Sequence, residues 1–300
     1  MPDPDEARPG AAPVSCGVVF VATGAQSYRA LAARAAASVK AHAPSLAVDL
    51  FTDRPMEGTV FDAVHLLEDP WFRSKIDGLL TSRFERTLYM DSDMVALADI
   101  SDIFAVLERF DIAMVHDWYR NSALNHTFWR KELPSAFPQF NGGLIALRRN
   151  AMTTAFLHDW KAAVKAHDSG RDQITLREVV WDSDLRVAVM PEEYNLLYVQ
   201  GVRTWTPDFP APRIVHSPRF HREYDRFAGT ADPVGELAGM AVAARLPDLL
   251  AGDRGLARMA GRDPVPAAKT ARLGRILADL PRRLRGRIGR AFARGRADQK

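Results

Sequence analysis

Seven uncharged residues, Cys16–Ala22 (CGVVFVA), are followed by an alanine-rich stretch of helical composition at 28–42, and this alternation recurs along the chain. Strand-like apolar runs lie at 46–52, 63–67, 87–90, 111–116, 143–147, 187–190 and 213–216. Helical patterns lie at 74–80, 103–109, 153–167 and 172–180. Strands that alternate with helices predict an α/β fold with a mostly parallel sheet and helices on both faces. Such sheets take ligands in the crevice beyond the carboxyl ends of their strands.

One strand end stands out. LYMDSDMV, residues 88–95, closes an apolar run with Asp91 and Asp93, two carboxylates separated by Ser92. A carboxylate in an apolar setting costs several kcal/mol unless a cation, a proton or hydrogen bonds compensate it. Side chains two apart on a strand share a side, and a bend past the strand end lets both carboxylates face one ion. Oxygen ligands of this kind suit Mg²⁺ or Mn²⁺, which keep waters and bridge substrate phosphates. A metal on a diphosphate offsets the charge that builds on a leaving group, so the pair points to a nucleoside diphosphate. The competing reading is that the two aspartates only cap the following segment.

Bulk properties narrow the class. Three hundred residues, 47% hydrophobic, suffice for one large α/β domain with additions or for two small domains. A single cysteine, Cys16, excludes an intramolecular disulfide, reads as a packing residue and fits a reducing compartment. No run reaches the ~20 apolar residues that span a bilayer, and residues 1–13 are acidic and proline-rich. The expected location is cytoplasmic, with peripheral contact to the inner face of the membrane.

Charge is unevenly spread. Residues 262–300 hold twelve Lys and Arg against three Asp, while residues 1–261 hold 28 basic against 34 acidic residues. In that tail Leu273, Leu277, Leu280, Leu284, Ile288 and Phe292 recur at three- to four-residue spacing between arginines. This is an apolar stripe beside a cationic face, suited to anionic headgroups. Docking against the body, or fraying at Pro281, Gly286 and Gly289, are the alternatives. No aromatic interleaving supports nucleic-acid binding, and none is expected. The expected layout is a disordered 1–14, a catalytic domain at 15–228, a linker or accessory helical segment at 229–268 and the basic amphipathic tail at 269–300.

FERTLYMDSDMVALADISDIF (84–104) resembles the metal-binding segment of GT-A-type nucleotide-diphospho-sugar glycosyltransferases, close to glycosyltransferase family 8. Further pieces follow the family's order. KIDGLL (75–80) resembles the helix that approaches the donor sugar, and FNGGLIALRRN (140–150) the Phe-Asn-x-Gly strand. RDQITL (171–176), MPEEYN (190–195) and IVHSP (214–218) resemble its Asp-Gln, Pro-x-x-Tyr-Asn and Ile-x-His segments. The likeness spans about 15–225.

The resemblance implies a GT-A, Rossmann-like sheet and a metal-dependent transfer from a nucleotide-diphospho-sugar, expected to be a UDP-sugar. The acceptor would be a glycan, lipid-linked or other hydroxyl, and the anomeric configuration would be retained. It implies Asp91, Asp93 and His216 as ligands of Mn²⁺ or Mg²⁺. Thr23, Tyr28, Lys75, Asp91, Ser92, Asn141, Gly142, Gly143 and Arg219 would be donor contacts, and Asp172 with Gln173 would lie at the reacting centre. The plainer readings are a structural histidine for His216, a tight turn for the glycines, an N-cap for Asp172 and sheet packing for Tyr28. Asp53, in the turn-forming FTDRP, is a weaker candidate.

The family's His-x-x-Gly-x-x-Lys-Pro-Trp ending is replaced by HSPRFHREYD, so no lysine is available there to clamp the diphosphate. Arg219, His221 and Arg222 offer cationic replacements. Two rival readings are a haloacid-dehalogenase-type phosphatase with Asp91 as nucleophile, and a non-catalytic nucleotide-sugar-binding protein.

Overall fold

The structure is a computed structural model that describes residues 15–56, 60–167 and 170–265. It divides into two compact units, one built from 15–198 with 212–231 and the other from 199–211 with 232–265. The basic tail lies outside the described residues.

The first unit runs β1 (Cys16–Ala22), α1 (Gln26–His42), β2 (Ala47–Thr52), β3 (Ala63–Leu66), α2 (Lys75–Thr81), β4 (Arg86–Met90), β5 (Met94–Ala96) and α3 (Ile103–Val106). It continues through β6 (Ile112–His116), β7 (Phe140–Arg148), α4 (Ala151–His167), α5 (Gln173–Asp182), β8 (Val187–Met190), β9 (Ile214–His216), α6 (Arg219–Arg222) and α7 (Tyr224–Phe227). Seven strands form one sheet in the order β3-β2-β1-β4-β7-β6-β8. All neighbouring strands are parallel except β7, which is antiparallel to both β4 and β6. This is the mixed, mostly parallel, helix-flanked sheet expected of a GT-A fold.

The inner strands β2, β1, β4, β7 and β6 are buried on both faces because their runs are mostly apolar, whereas the edge strands β3 and β8 are partly exposed. Val18 and Phe20 of β1 face a core built with Ala32, Ala35, Ala36 and Val39 of α1. Val19, between them, faces Ile76 of α2 and Phe156 and Trp160 of α4. The alternation follows from the period-2 side-chain rule. The small residues of α1 let its backbone approach the sheet, and each fully buried large side chain contributes about 1.5–3 kcal/mol.

Two topological details position the site. The strand order reverses at β1, so the crevice opens beyond the ends of β1 and β4. Antiparallel β7 then starts where β4 stops: Met90 pairs with Leu144, and the Asp91 amide donates to the Gly143 carbonyl at 2.8 Å. Reversal of this one strand sets Asn141-Gly142-Gly143 beside Asp91.

The apolar residues after the aspartates form a strand that the sequence pattern alone does not separate from β4. β5 pairs antiparallel with β9, with Met94 opposite His216. Three residues are too few for periodicity to register. The helical pattern at 103–109 contracts to Ile103–Val106.

In the second unit, α8 (Pro233–Ala238), α9 (Met240–Ala243), α10 (Leu246–Gly252) and α11 (Arg254–Met259) follow a 3₁₀ helix at Val199–Thr204. Asp253 caps α11 through the Leu256 amide and accepts the Ala211 amide at 2.7 Å. Arg245 donates to the carbonyls of Arg203 and Trp205. These side-chain bonds to backbone tie 199–211 to the later helices. Among the described residues no helix is long and apolar enough to cross a membrane.

Candidate active site

Asp91 and Asp93 sit in the turn between β4 and β5, and β9 brings His216 beside them. One ligand atom from each of Asp91, Asp93 and His216 lies within 4.8 Å of the others. Nε2 of His216 is 3.2 Å from a carboxylate oxygen of Asp93, and its side chain is 8% exposed.

The hydrogen bonds behind the histidine assign its tautomer. The Gly143 amide donates to Oδ1 of Asn141 at 3.0 Å, so that atom is an oxygen. It also accepts Nδ2 of Asn195 at 3.1 Å, which turns Oδ1 of Asn195 toward Nδ1 of His216 at 2.9 Å. Nδ1 must therefore carry the proton. In the neutral ring Nε2 then presents a lone pair toward the Asp93 carboxylate, and either a divalent cation or a second ring proton reconciles the two acceptors. A ligating histidine oriented by a partner on its other nitrogen is the usual arrangement at metal sites.

Electrostatics agree. Burial raises the Asp91 pKa, with Asp93 adding to the rise and Lys75 and His216 opposing it. Burial also works against the charge on Asp93, but His216 holds that carboxyl below its ordinary value. For His216, burial alone would lower the pKa, yet Asp93 and Asp91 turn the shift upward. Tyr89 donates its hydroxyl to Asp91, and burial with that neighbouring charge keeps the phenol protonated. The residues fit a hard or borderline divalent cation such as Mn²⁺ or Mg²⁺.

A second charged group adjoins the first. Asp172 precedes α5, but its carboxylate makes no cap bond to that helix. It pairs instead with Lys75 and with Nε of Arg73 at 3.0 Å. Lys75 also donates to the Gly142 carbonyl at 2.9 Å. Burial opposes ionisation of Asp172, but the two cations hold its pKa below the ordinary value.

The glycines are needed for approach. A Cβ on Gly143 would stand 2.7 Å from Cε1 of His216 and 2.8 Å from an Asp91 oxygen, and one on Gly142 would stand 3.0 Å from Asp172. Real Cβ atoms do not sit below 3.0 Å.

The remaining candidates are more dispersed. Ser92 lies between the aspartates in the turn, and Gln173 opens α5, half-buried. Thr23 follows β1, where Asp53 fixes the loop by accepting the Gly24 amide at 3.0 Å and Nη1 of Arg29 at 3.1 Å. Asp53 thus has a structural task. Tyr28 is 38% exposed and stacks on His221, with ring centroids 4.1 Å apart. Arg219 is engaged in a fork with Glu223, at 2.5 and 2.9 Å.

Sequence reasoning did not single out Asn195, Tyr89 or Arg73. Asn195 closes MPEEYN and Tyr89 stands inside LYMD, so each had a motif as signal. Arg73 had none.

Residues 18–218 match the nucleotide-diphospho-sugar transferase family. The chain belongs to that family. It is a GT-A-type glycosyltransferase, and the readings of Asp91 as a phosphatase nucleophile and of the chain as a non-catalytic binding protein fall away. The solved galactosyltransferase LgtC, in complex with donor and acceptor sugar analogs, is similar in fold at a TM-score of 0.54. The two are 14% identical over 75% of this chain and 95% of LgtC. The apo-form glycosyltransferase GlyE of Streptococcus pneumoniae TIGR4 is similar at a TM-score of 0.51 and 15% identity, over 78% of this chain and 63% of GlyE. No protein of curated function matches the chain in sequence.

Proposed function

We propose that this glycosyltransferase uses a divalent cation, Mn²⁺ before Mg²⁺, to transfer a sugar from a UDP-type donor to a hydroxyl of a glycan or lipid-linked acceptor, with retention of anomeric configuration. The observation that carries the reading is the convergence of Asp91, Asp93 and His216, with Nε2 of His216 turned onto Asp93 by the Asn195–Asn141–Gly143 relay. A soft-edged nitrogen in the set favours Mn²⁺. A bound ion would be held by Asp91, Asp93 and His216 and would offset the charge of the departing diphosphate.

The chain's own groups do the rest. Asn141 and the two glycines leave room for the donor sugar to approach the backbone. Asp172, ionised and gripped by Lys75 and Arg73, is a weak base, which argues against proton abstraction by it in an inverting displacement. Its negative charge suits the positive charge that develops at the anomeric carbon. In a front-face transfer the bond from that carbon to the phosphate oxygen breaks, the acceptor oxygen bonds on the same face, and its proton passes to the released phosphate oxygen. The site then acts by orientation and electrostatics.

Calorimetric titration of UDP with Mn²⁺, with EDTA and into Asp93→Ala tests the reading. Binding that needs the metal and is lost in the variant is expected. Equal binding in all three arms would overturn metal dependence, and binding of another nucleoside diphosphate in place of UDP would overturn the donor.

A further inference from the structure

β8 is the outermost strand of the sheet, and beyond its pairing with β6 its other edge meets no strand among the described residues. The Ile112 amide donates to the Arg186 carbonyl across the parallel pairing of Ile112 with Val187. Backbone groups along a strand alternate between its two edges. Those of Arg186, Ala188 and Met190 therefore turn toward β6, and those of Val187 and Val189 turn outward. An outward row of amides and carbonyls is a template for another strand.

The side chains leave that edge open as well. Val189 is 52% exposed. Trp181 of α5, 44% exposed, stands edge to face on Phe137, and Phe137 and Val187 pack on the same core cluster. No lysine, proline or other guarding residue lies within Val187–Met190.

The flanking charges separate the two sheet edges. β3, at the far edge, is preceded by Asp62 and followed by Glu68 and Asp69. Antiparallel pairing of β3 with its own copy about His65 sets Asp62 opposite Glu68, and like charges oppose the contact. β8 is preceded by Arg186 and followed by Pro191 and Glu192. Antiparallel pairing about Val189 sets Arg186 of each strand opposite Glu192 of the other, so this edge is complementary to itself.

We infer that β8 is the docking edge for a second copy of this chain, with the two β8 strands antiparallel across a two-fold axis at Val189. Val189 exchanges both backbone bonds with its counterpart, and the Val187 amide donates to the Pro191 carbonyl of the copy. Pro191 has no amide and donates nothing in return. The contact is isologous. Because the strand is short, the dimer is a weak one that forms in the micromolar range.

The test uses the full chain in analytical ultracentrifugation and, separately, oxidative cross-linking in a Cys16→Ser background that lacks the single native cysteine. The unaltered chain should pass from monomer to dimer over the micromolar range. Val189→Lys, at an exposed position, sets two ammonium groups on the axis and should raise the dimer dissociation constant about ten-fold or more. Glu192→Lys, opposite Arg186, should act in the same direction. Opposed residues of a hydrogen-bonded antiparallel pair have Cα atoms about 5.5 Å apart, within disulfide reach. Val189→Cys should therefore give a covalent dimer, and Leu66→Cys, on the far edge, should not. A chain that stays monomeric, a dimer unchanged by both lysine variants, or a Val189→Cys chain that cross-links no better than Leu66→Cys would overturn the inference.

Discussion

Asn195 does not touch the cation it would serve, yet it decides which nitrogen of His216 faces the carboxylates. Asn195→Ala removes that control, and loss of such an outer partner typically costs 10–100-fold in metal affinity. Mn²⁺ titration of the purified chain, followed by electron paramagnetic resonance, should show a loss in that range without loss of fold. Gly143→Ala makes a different prediction. Its Cβ would press on His216, Asp91 and Asn141 together, so metal and nucleotide binding should fall together while the sheet survives. Protons should compete with the metal. The His216 pKa is raised by Asp93 and Asp91 against the effect of burial, so the imidazole charges at a pH above the ordinary value near 6.5. Mn²⁺ affinity should therefore weaken progressively as pH falls from about 8 to 6. At this scale the aspartate pair was legible because two carboxylates closing an apolar strand conflict with local chemistry. The relay was not, since its members come from β7, the segment after β8 and β9, more than fifty residues apart at its widest bond.

Elements decide whether these residues meet. β7 runs antiparallel inside an otherwise parallel sheet, and its C-terminal end is held by Asp111, whose carboxylate takes Arg148 at 2.7 Å, Asn150 at 3.1 Å and Arg186 at 3.1 Å. The junction ties the start of β6 to the end of β7 and the approach to β8. Arg186 and Arg148 hold the Asp111 carboxyl well below the usual carboxylate range, although burial opposes them. A depressed folded pKa stabilises above the unfolded value near 3.9, and that stability is lost as pH falls toward the folded one. Asp111→Asn should thus destabilise by about 1–3 kcal/mol at neutral pH, discounted for the half-exposed arginines. The penalty should shrink below about pH 4 in denaturant melts. Most strands of the main sheet were readable from composition because their runs are largely apolar. The direction of β7 was not, because an apolar run carries no polarity; only its register against β4 and β6 fixes it.

For the whole molecule, charge is the property that the sequence states most plainly. Residues 262–300 carry twelve basic against three acidic residues, and from 266 onward lie outside the described residues, while the preceding chain is mildly acidic. The full chain should sediment with anionic liposomes and a form ending at Pro264 should not, with the difference fading as salt rises. Equal sedimentation of both forms would remove the tail from any role at a lipid surface. By itself the sequence determined the class of sheet, the carboxylates at its edge and the kinship of residues 18–218, because alternation, burial cost and motif order are local properties of the chain. Tertiary structure alone decided that Lys75 and Arg73 serve Asp172, that Arg219 is engaged by Glu223, and that His221 stands against Tyr28. Which cation answers which anion depends on distance in space, and a chain reveals distance only once strand order and direction have closed the sheet.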